Sequence, residues 1–190
     1  NFIYSIVNNK NKVLNENFVM AVGRLTSQKG FDLLINVFLS YKHATKNKLK
    51  LIILGEGDDL NSLKRMVPKD YDEEILFLGK TDPYPYYKKC KMLIISSRYE
   101  GIPNILLEGM ILGLTMIVAN SNVGIDAYLT NMKNAIILDK DNKINSISKA
   151  IKFVLKNPKI SKELGFNANQ QIKLHDNQKI INQWKELIDK

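Results

Sequence analysis

Residues 96–110 read SSRYEGIPNILLEGM, and the predicted fold is built outward from this stretch. It follows the apolar run 92–95 (MLII), which is typical of a buried strand. A helix is predicted to begin at Pro103, because proline lacks the N–H that would be unpaired at the first helical position, and to end near Gly113. The first helical amides would then point toward the strand end, where they attract anions and phosphate above all.

Two carboxylates flank this predicted helix start. Glu100 lies in the turn, and Glu108 lies on the same helix face as Asn104 in otherwise apolar surroundings. A carboxylate in such surroundings needs a partner, which the hydroxyls of a ligand beside a bound phosphate would supply. On spacing alone the alternative is favoured: Glu100 is a loop charge, and Glu108 reaches solvent or a lysine.

Apolar strand-like runs alternate with helical patterns along the chain. Continuous apolar strands separated by helices are typical of a parallel sheet covered on both faces. The sequence therefore predicts an α/β, Rossmann-like open parallel sheet of about six strands, with helices on both faces and a C-terminal helical segment. The predicted strands are 18–22, 49–54, 75–78, 92–95, 115–119 and 135–138, and the later predicted helices are 144–155, 160–174 and 177–188.

The length and the cysteine count bound the domain organisation. At 190 residues the chain is expected to form one domain over 18–190, preceded by an interdomain segment over 1–17 that lacks a strand-turn-helix unit. Cys90 is the single cysteine, which excludes an intramolecular disulfide and fits a reducing cytoplasm. The longest uncharged apolar run, 109–119, is shorter than the ~20 residues that span a bilayer. We therefore expect a cytoplasmic domain, with peripheral contact at the inner face of the membrane left open.

The net charge of +9 comes almost entirely from lysine in a chain that is also rich in asparagine. This indicates a compositional bias. The sequence shows no aromatic and basic interleaving and no helix-turn-helix pattern, so nucleic acid is not an expected partner. His43 and His175 are far apart in sequence, and Cys90 has no ligand-like spacing, so no metal site is predicted.

The loop 23–30 (GRLTSQKG) follows the first predicted strand, and the Glu100 turn follows the fourth. Open parallel sheets bind ligands at the carboxyl ends of their strands, so both loops should open on one edge. Arg24 and Lys29 would then place two cations beside the helix start, which predicts a diphosphate site made without metal. A single loop lysine or arginine is usually a solvated charge, but the helix start favours function for both.

Residues 97–108 closely resemble the Glu-(seven residues)-Glu signature of retaining, family 4 glycosyltransferases, which have two Rossmann-like domains in the GT-B architecture. The resemblance covers about residues 18–140 in the same order. Its other parts are 22–25 (VGRL), Lys29-Gly30, 55–57 (GEG) and 77–79 (FLG).

The resemblance implies three catalytic residues. Arg24 and Lys29 would hold the donor diphosphate and stabilise the charge that builds on the leaving group. Glu100 would contact the hydroxyls of the donor sugar.

The resemblance also implies residues that bind the nucleotide sugar. Glu108 would accept hydrogen bonds from the ribose, and the amides of Asn104 and Ile105 would meet the distal phosphate. The remaining implied residues are Gly23, Thr81 near the base, Gly101 for close backbone approach, and Ile102.

The implied function is transfer of a sugar from a nucleotide sugar, UDP- or GDP-linked, to a glycan or lipid-linked acceptor in bacterial polysaccharide synthesis, with no cofactor. An N-terminal acceptor domain would be the partner of this domain, so the chain alone is expected to turn over little. One alternative is a non-catalytic nucleotide-sugar-binding or assembly module. Another is a dinucleotide-binding redox domain, but its Gly-x-Gly-x-x-Gly signature is not met, because Arg24 follows Gly23.

The chain departs from the resembled pattern in three places. Residues 123–128 (VGIDAY) replace a glycine-rich turn followed by Glu, and Asn134-Ala135 replaces an Asn-Gly turn. These two bear on the acceptor-side and donor-sugar contacts. Gly109 replaces an alanine, which is interpreted as a change in packing.

Overall fold

Six parallel strands form one sheet within the described residues, which in this computed structural model are 17–119, 123–138 and 143–174. The strand order is β3-β2-β1-β4-β5-β6, and neighbouring strands are parallel throughout. Residues 1–16 of the predicted interdomain segment over 1–17 and the predicted helix over 177–188 lie outside the described residues. The strands are β1 (Phe18–Val22), β2 (Lys50–Leu54), β3 (Ile75–Phe77), β4 (Leu93–Ile95), β5 (Met116–Val118) and β6 (Ile136–Ile137).

Helices connect the strands and cover both faces of the sheet. The described α-helices are α1 (Phe31–Thr45), α2 (Leu60–Arg65), α3 (Tyr84–Tyr87), α4 (Asn104–Ile111), α5 (Val123–Asp126), α6 (Lys143–Lys156) and α7 (Pro158–Lys173), with short 3₁₀ turns at Ser27–Lys29 and Lys69–Tyr71. Within the described ranges, no helix has the length and apolarity needed to cross a membrane.

Alternate residues of each strand feed two separate cores. In β1, Val19 and Ala21 pack into one core with α1, α2 and α6, whereas Phe18 and Met20 pack into the other with α3 and α4. These side chains are at most 1% exposed, so every position of the strand interior is apolar, as a parallel sheet covered on both faces requires. The predicted fold class is confirmed.

The ends of α4 correct one predicted boundary and confirm another. Pro103 has an extended backbone (φ −72°, ψ 135°) and is the N-cap, so the helix begins one residue later, at Asn104. At the other end, Gly113 adopts φ 65°, and the N–H groups of Gly113 and Leu114 bond back to Met110 and Gly109. This is the Schellman arrangement, which a glycine adopts without the strain that a Cβ atom would bring.

Gly109 lets α4 pack closely against the sheet. A Cβ atom at this position would lie 2.7 Å from the sulfur of Met116 on β5 and 3.0 Å from a methyl carbon of Leu93 on β4. The interpretation of this glycine as a packing change agrees with that geometry, and the close packing sets the height of α4 above β4 and β5.

The order of the strands determines where a ligand can bind. After β3 the chain returns to the other side of β1, so β1 and β4 are neighbours and the connections on either side of them diverge. Ligands of open parallel sheets bind at such a switch point, outside the carboxyl ends of the strands. The loops that follow β1 and β4 meet there.

Candidate functional site

Several hydrogen bonds join the loop after β1 to the loop after β4. The hydroxyl of Ser96 donates to the carbonyl of Lys29 at 2.8 Å, and the amide of Arg98 donates to the carbonyl of Gln28 at 2.8 Å. The side-chain amide of Gln28 donates to the carbonyl of Tyr99 at 3.0 Å. These bonds hold the two loops as one unit, as the predicted common edge requires.

An ion pair between Lys29 and Glu100 lies at the centre of this unit. The ammonium of Lys29 contacts Oε1 of Glu100, and the hydroxyl of Ser97 donates to the same oxygen at 2.6 Å. The side chains are 18% and 9% exposed, so both charges are largely withdrawn from water. The structure therefore brings together two residues that the sequence placed in separate loops.

Arg98 connects the loop after β4 to the loop after β1 and to the first turn of α1. Its guanidinium donates to both carboxylate oxygens of Asp32 at 2.9 and 2.6 Å and also contacts the carbonyl of Ser27. Hydrogen bonds from Arg98 are the main reason that the pKa of Asp32 is lowered, and the same contact raises the pKa of Arg98. Sequence analysis missed this pair, because nothing in the spacing of two residues so far apart relates them.

Removing this pair should have a small effect that depends on pH. Asp32→Asn is expected to lower the free energy of unfolding at pH 7 by less than about 1 kcal/mol, since both side chains are roughly two-fifths exposed. The folded-state pKa is lowered, so the stabilisation is present above the ordinary carboxyl pKa and disappears as pH falls through the folded value. Urea unfolding of both proteins at pH 7 and near pH 3 measures this.

The matched control is Asp72→Asn, at an exposed carboxylate for which the described part of the chain shows no ion pair. A stability difference between wild type and Asp32→Asn that persisted unchanged at pH 3 would contradict the role of the charge.

Arg24 lines a cavity of about 380 Å³ beside the ion pair. Gly23 and Thr81 line the same cavity, so three residues from the predicted site meet there. The Lys29 side chain passes over Gly23, because a Cβ atom at Gly23 would lie 3.4 Å from Cδ and Cε of Lys29. The cavity and the Lys29–Glu100 pair are therefore adjacent parts of one site.

The start of α4 forms the other side of the site. No side chain caps this end of the helix. Asn104 is exposed and Ile105 is half-buried, and both Gly101 and Ile102 are exposed in the turn before them. A Cβ atom at Gly101 would meet no protein atom within 4 Å, so packing does not require a glycine there.

Glu108 is exposed on α4 and has a partner that the sequence did not indicate. The phenol of Tyr87 donates to Oε2 of Glu108 at 2.7 Å. The pKa of Tyr87 is raised, chiefly by burial and then by the hydrogen bond to Glu108 and its negative charge. Among the described contacts, Glu108 bonds to neither Arg24 nor Lys29, so it forms a part of the site separate from these two cations.

Two positions where the chain departs from the resembled pattern lie in the connection between β5 and β6. Residues 123–126 form the short helix α5. Asn134 is 3% exposed; its side chain accepts from the amide of Thr130 at 2.7 Å and donates to the carbonyl of Tyr128 at 3.0 Å. Asn134 therefore stabilises the turn before β6.

In the described ranges, the single cysteine does not line the cavity beside Arg24. Cys90 is half-buried, and burial raises the pKa of its thiol to about 12. Over the same ranges, no group of three or more His, Cys, Asp or Glu residues is placed to share a metal ion.

The sheet order, the joined loops at the switch point and the helix start define a Rossmann-like domain. The profile of the family "Glycosyl transferases group 1" matches residues 5–171. The chain belongs to the group 1 glycosyl transferases.

Curated relatives agree with this assignment. An uncharacterized glycosyltransferase of Haemophilus influenzae is 27% identical over 185 residues, covering 94% of this chain and 51% of the relative. The N-acetylgalactosamine-N,N'-diacetylbacillosaminyl-diphospho-undecaprenol 4-alpha-N-acetylgalactosaminyltransferase of Campylobacter jejuni is 29% identical, covering 88% of this chain and 45% of the relative. The chain thus spans about half the length of these relatives.

Solved structures share the fold. A TarM variant from S. aureus, in complex with fondaparinux, alpha-GlcNAc-glycerol and UDP, superposes with a TM-score of 0.83 at 24% identity, over 92% of this chain and 36% of that chain. The C-terminal domain of the group 1 family protein LpcC from Francisella tularensis superposes with a TM-score of 0.74 at 15% identity, over 87% of this chain and 89% of that domain.

Proposed function

We propose that this chain is the donor-binding half of a retaining, family 4 glycosyltransferase that uses a nucleotide sugar and no metal ion. Its match to about half of each curated relative supports this division. Its coverage of 89% of a domain described as the C-terminal domain of a group 1 protein supports it further. The acceptor site would then lie in a second Rossmann-like domain, and the domain on its own would bind nucleotide and turn over little.

The observation that carries the proposal is the Lys29–Glu100 ion pair next to the uncapped start of α4. A diphosphate that enters this site would take the Lys29 ammonium and approach the amides of Asn104 and Ile105, since a helix start favours anions. Glu100 would then exchange its bond to Lys29 for the hydroxyls of the donor sugar, and Ser97 would keep its carboxylate in place.

Arg24 supplies the second cation of the proposed site. In the transfer reaction the bond between the anomeric carbon of the sugar and the diphosphate breaks, and negative charge builds on the departing oxygen. Arg24 and Lys29 would stabilise that charge, and electrostatic stabilisation of this kind is usually the largest single contribution to catalysis. The cavity that Arg24 shares with Thr81 would receive the nucleoside, with uracil or guanine as the expected base.

The acceptor would be a glycan or a lipid-linked sugar. The Campylobacter jejuni relative carries diphospho-undecaprenol in its name, and a Staphylococcus aureus relative is a poly(ribitol-phosphate) alpha-N-acetylglucosaminyltransferase. Both acceptors are anionic, and a net charge of +9 would favour a cytoplasmic enzyme that works close to an anionic membrane or polymer.

Nucleotide titration tests the proposal directly. UDP, GDP and ADP are titrated separately into the 190-residue chain by calorimetry, and one of them is expected to bind. Glu108→Ala should weaken that binding about tenfold, because the ribose hydroxyls would lose a charged acceptor. Glu163→Ala is the matched control, since Glu163 is an exposed glutamate on α7.

Two results would speak against the site. Failure of all three diphosphates to bind at millimolar concentrations would remove the nucleotide site altogether. An affinity unchanged by Glu108→Ala would contradict the proposed contact of Glu108 with the ribose. It would not contradict the proposed diphosphate contacts. Transfer activity of the full-length parent protein distinguishes an enzyme from a non-catalytic binding module.

A further inference from the structure

Tyr87 is the one buried tyrosine that bonds to a residue of the proposed site within the described ranges. It is the last residue of α3, is 3% exposed and packs in the core that also holds Leu106 and Met110 of α4. Its phenol donates to Oε2 of Glu108 at 2.7 Å. The hydroxyl group of a buried tyrosine thus donates a hydrogen bond to the carboxylate of an exposed glutamate.

We infer that Tyr87 is the positioning residue for ribose recognition, because it fixes the Glu108 carboxylate so that Oε1 remains for a ribose hydroxyl. The inference rests on the proposed role of Glu108. Glutamate on a helix surface otherwise samples several rotamers, and ordering such a side chain at the moment of binding costs conformational entropy. A rigid donor that already orders the carboxylate lowers that cost.

The chemistry of the pair suits this role. A phenol that donates to a carboxylate forms a short, charge-assisted hydrogen bond, and the raised pKa of Tyr87 keeps the phenol protonated as a donor. Glu108 keeps a second oxygen, since the described hydrogen bond engages only Oε2. The carboxylate can therefore accept from the protein and from a ligand at the same time.

The segment that contains Thr81 and α3 lies next to both the cavity proposed for the base and the residue proposed for the ribose. The loop that carries Thr81 leads directly into α3, and Thr81 lines the cavity proposed for the base. Tyr87, at the other end of the same short segment, holds the residue proposed for the ribose. One connection between β3 and β4 would thus determine both the base side and the sugar side of nucleoside recognition.

The test is the substitution Tyr87→Phe, which removes the hydroxyl and keeps the buried ring. UDP, GDP and ADP, and the 2′,3′-dideoxy analogue of whichever binds most tightly, are titrated by calorimetry into wild type and variant. We expect Tyr87→Phe to weaken binding of the ribonucleoside diphosphate about fivefold and to leave binding of the dideoxy analogue unchanged. A loss of packing would weaken the binding of both ligands equally. The ratio of the affinity for the ribonucleoside diphosphate to that for the dideoxy analogue, here called the ribose discrimination, therefore separates the two effects.

Tyr86→Phe is the matched control. Tyr86 is also 3% exposed and lies on the same helix, but its ring packs edge-on against Phe18. The same change of one hydroxyl at this position should leave ribose discrimination unaltered. Thermal unfolding of both variants verifies that each is folded at the temperature of the titration.

The outcomes separate this inference from the proposed function. If Glu108→Ala abolishes ribose discrimination and Tyr87→Phe retains the wild-type value, the role of Tyr87 is overturned and the ribose site stands. If neither variant alters discrimination, or if no nucleotide binds, the role of Glu108 is overturned and that of Tyr87 with it. Reduced discrimination in both variants, with Tyr86→Phe unchanged, supports the inference.

Discussion

Lys29→Ala is expected to weaken nucleoside diphosphate binding about 100-fold at low ionic strength. Two effects combine in this loss. The diphosphate loses a charge-assisted contact from an ammonium that is only 18% exposed. Glu100, 9% exposed, loses its cation and becomes an unpaired carboxylate beside the phosphates, which it repels. Calorimetric titration of wild type and variant measures the change.

The dependence on salt identifies the charge as the cause. Wild-type affinity should fall as ionic strength rises, and the affinity of Lys29→Ala should fall less steeply, because one cationic contact has been removed. Lys64→Ala serves as the matched control, since Lys64 is exposed on α2 and carries the same charge. An equal loss in the two variants would indicate a general effect of net charge and contradict a specific diphosphate contact.

A second substitution tests the repulsion separately. Adding Glu100→Gln to Lys29→Ala removes the unpaired carboxylate, so the double variant should bind diphosphate more tightly than Lys29→Ala alone. The two residues are in direct contact, and a non-additive result is therefore expected. Strict additivity would mean that the ion pair has no bearing on the bound diphosphate.

Gly30→Ala is expected to lower the free energy of unfolding by about 3 kcal/mol and to abolish nucleotide binding. Gly30 has φ 65°, in the left-handed region that costs an alanine roughly 1 to 2 kcal/mol. Its Cβ atom would also lie 2.3 Å from the carbonyl oxygen of Ser96. The loop after β1 would have to move away from the loop after β4, and Lys29 would move with it. Urea unfolding measures the stability, and calorimetry measures the binding.

Gly101→Ala is the matched control for this substitution. A Cβ atom at Gly101 would meet nothing within 4 Å, so the free energy of unfolding should stay within about 0.5 kcal/mol of wild type. If Gly101 allows close approach of the ligand, as the resemblance implies, this variant should be stable and bind nucleotide less tightly. Wild-type stability in Gly30→Ala would show that the two loops are not packed as described.

Much of the fold could be predicted because its signal is local. Apart from Lys50 at the start of β2, each strand from β1 to β5 is an apolar run, because the interior of a strand covered on both faces has to be apolar. The apolar run 18–22 predicted the first strand, and β1 has the same bounds in the structure. The end of α4 was placed from Gly113 for a similar reason, because the left-handed turn is most readily adopted by a glycine.

The contacts within the site could be predicted only in part. Strand order places the loops after β1 and β4 on one edge, so the proximity of Lys29 to Glu100 followed from the fold class together with the rule for parallel sheets. The functional roles of these residues remain predictions. The hydrogen bonds from Ser97 to Glu100 and from Tyr87 to Glu108 could not be predicted, because rotamers and helix positions determine them.

By itself, the sequence determined the alternation of buried strands and helices and the end of α4 at Gly113, since both depend on the residues present at neighbouring positions. Tertiary structure alone decided two of the polar pairs. Arg98 bonds to Asp32, and Tyr87 to Glu108, across separations of 66 and 21 residues. Such pairs form when packing brings two elements within hydrogen-bond distance, a condition that local sequence does not specify.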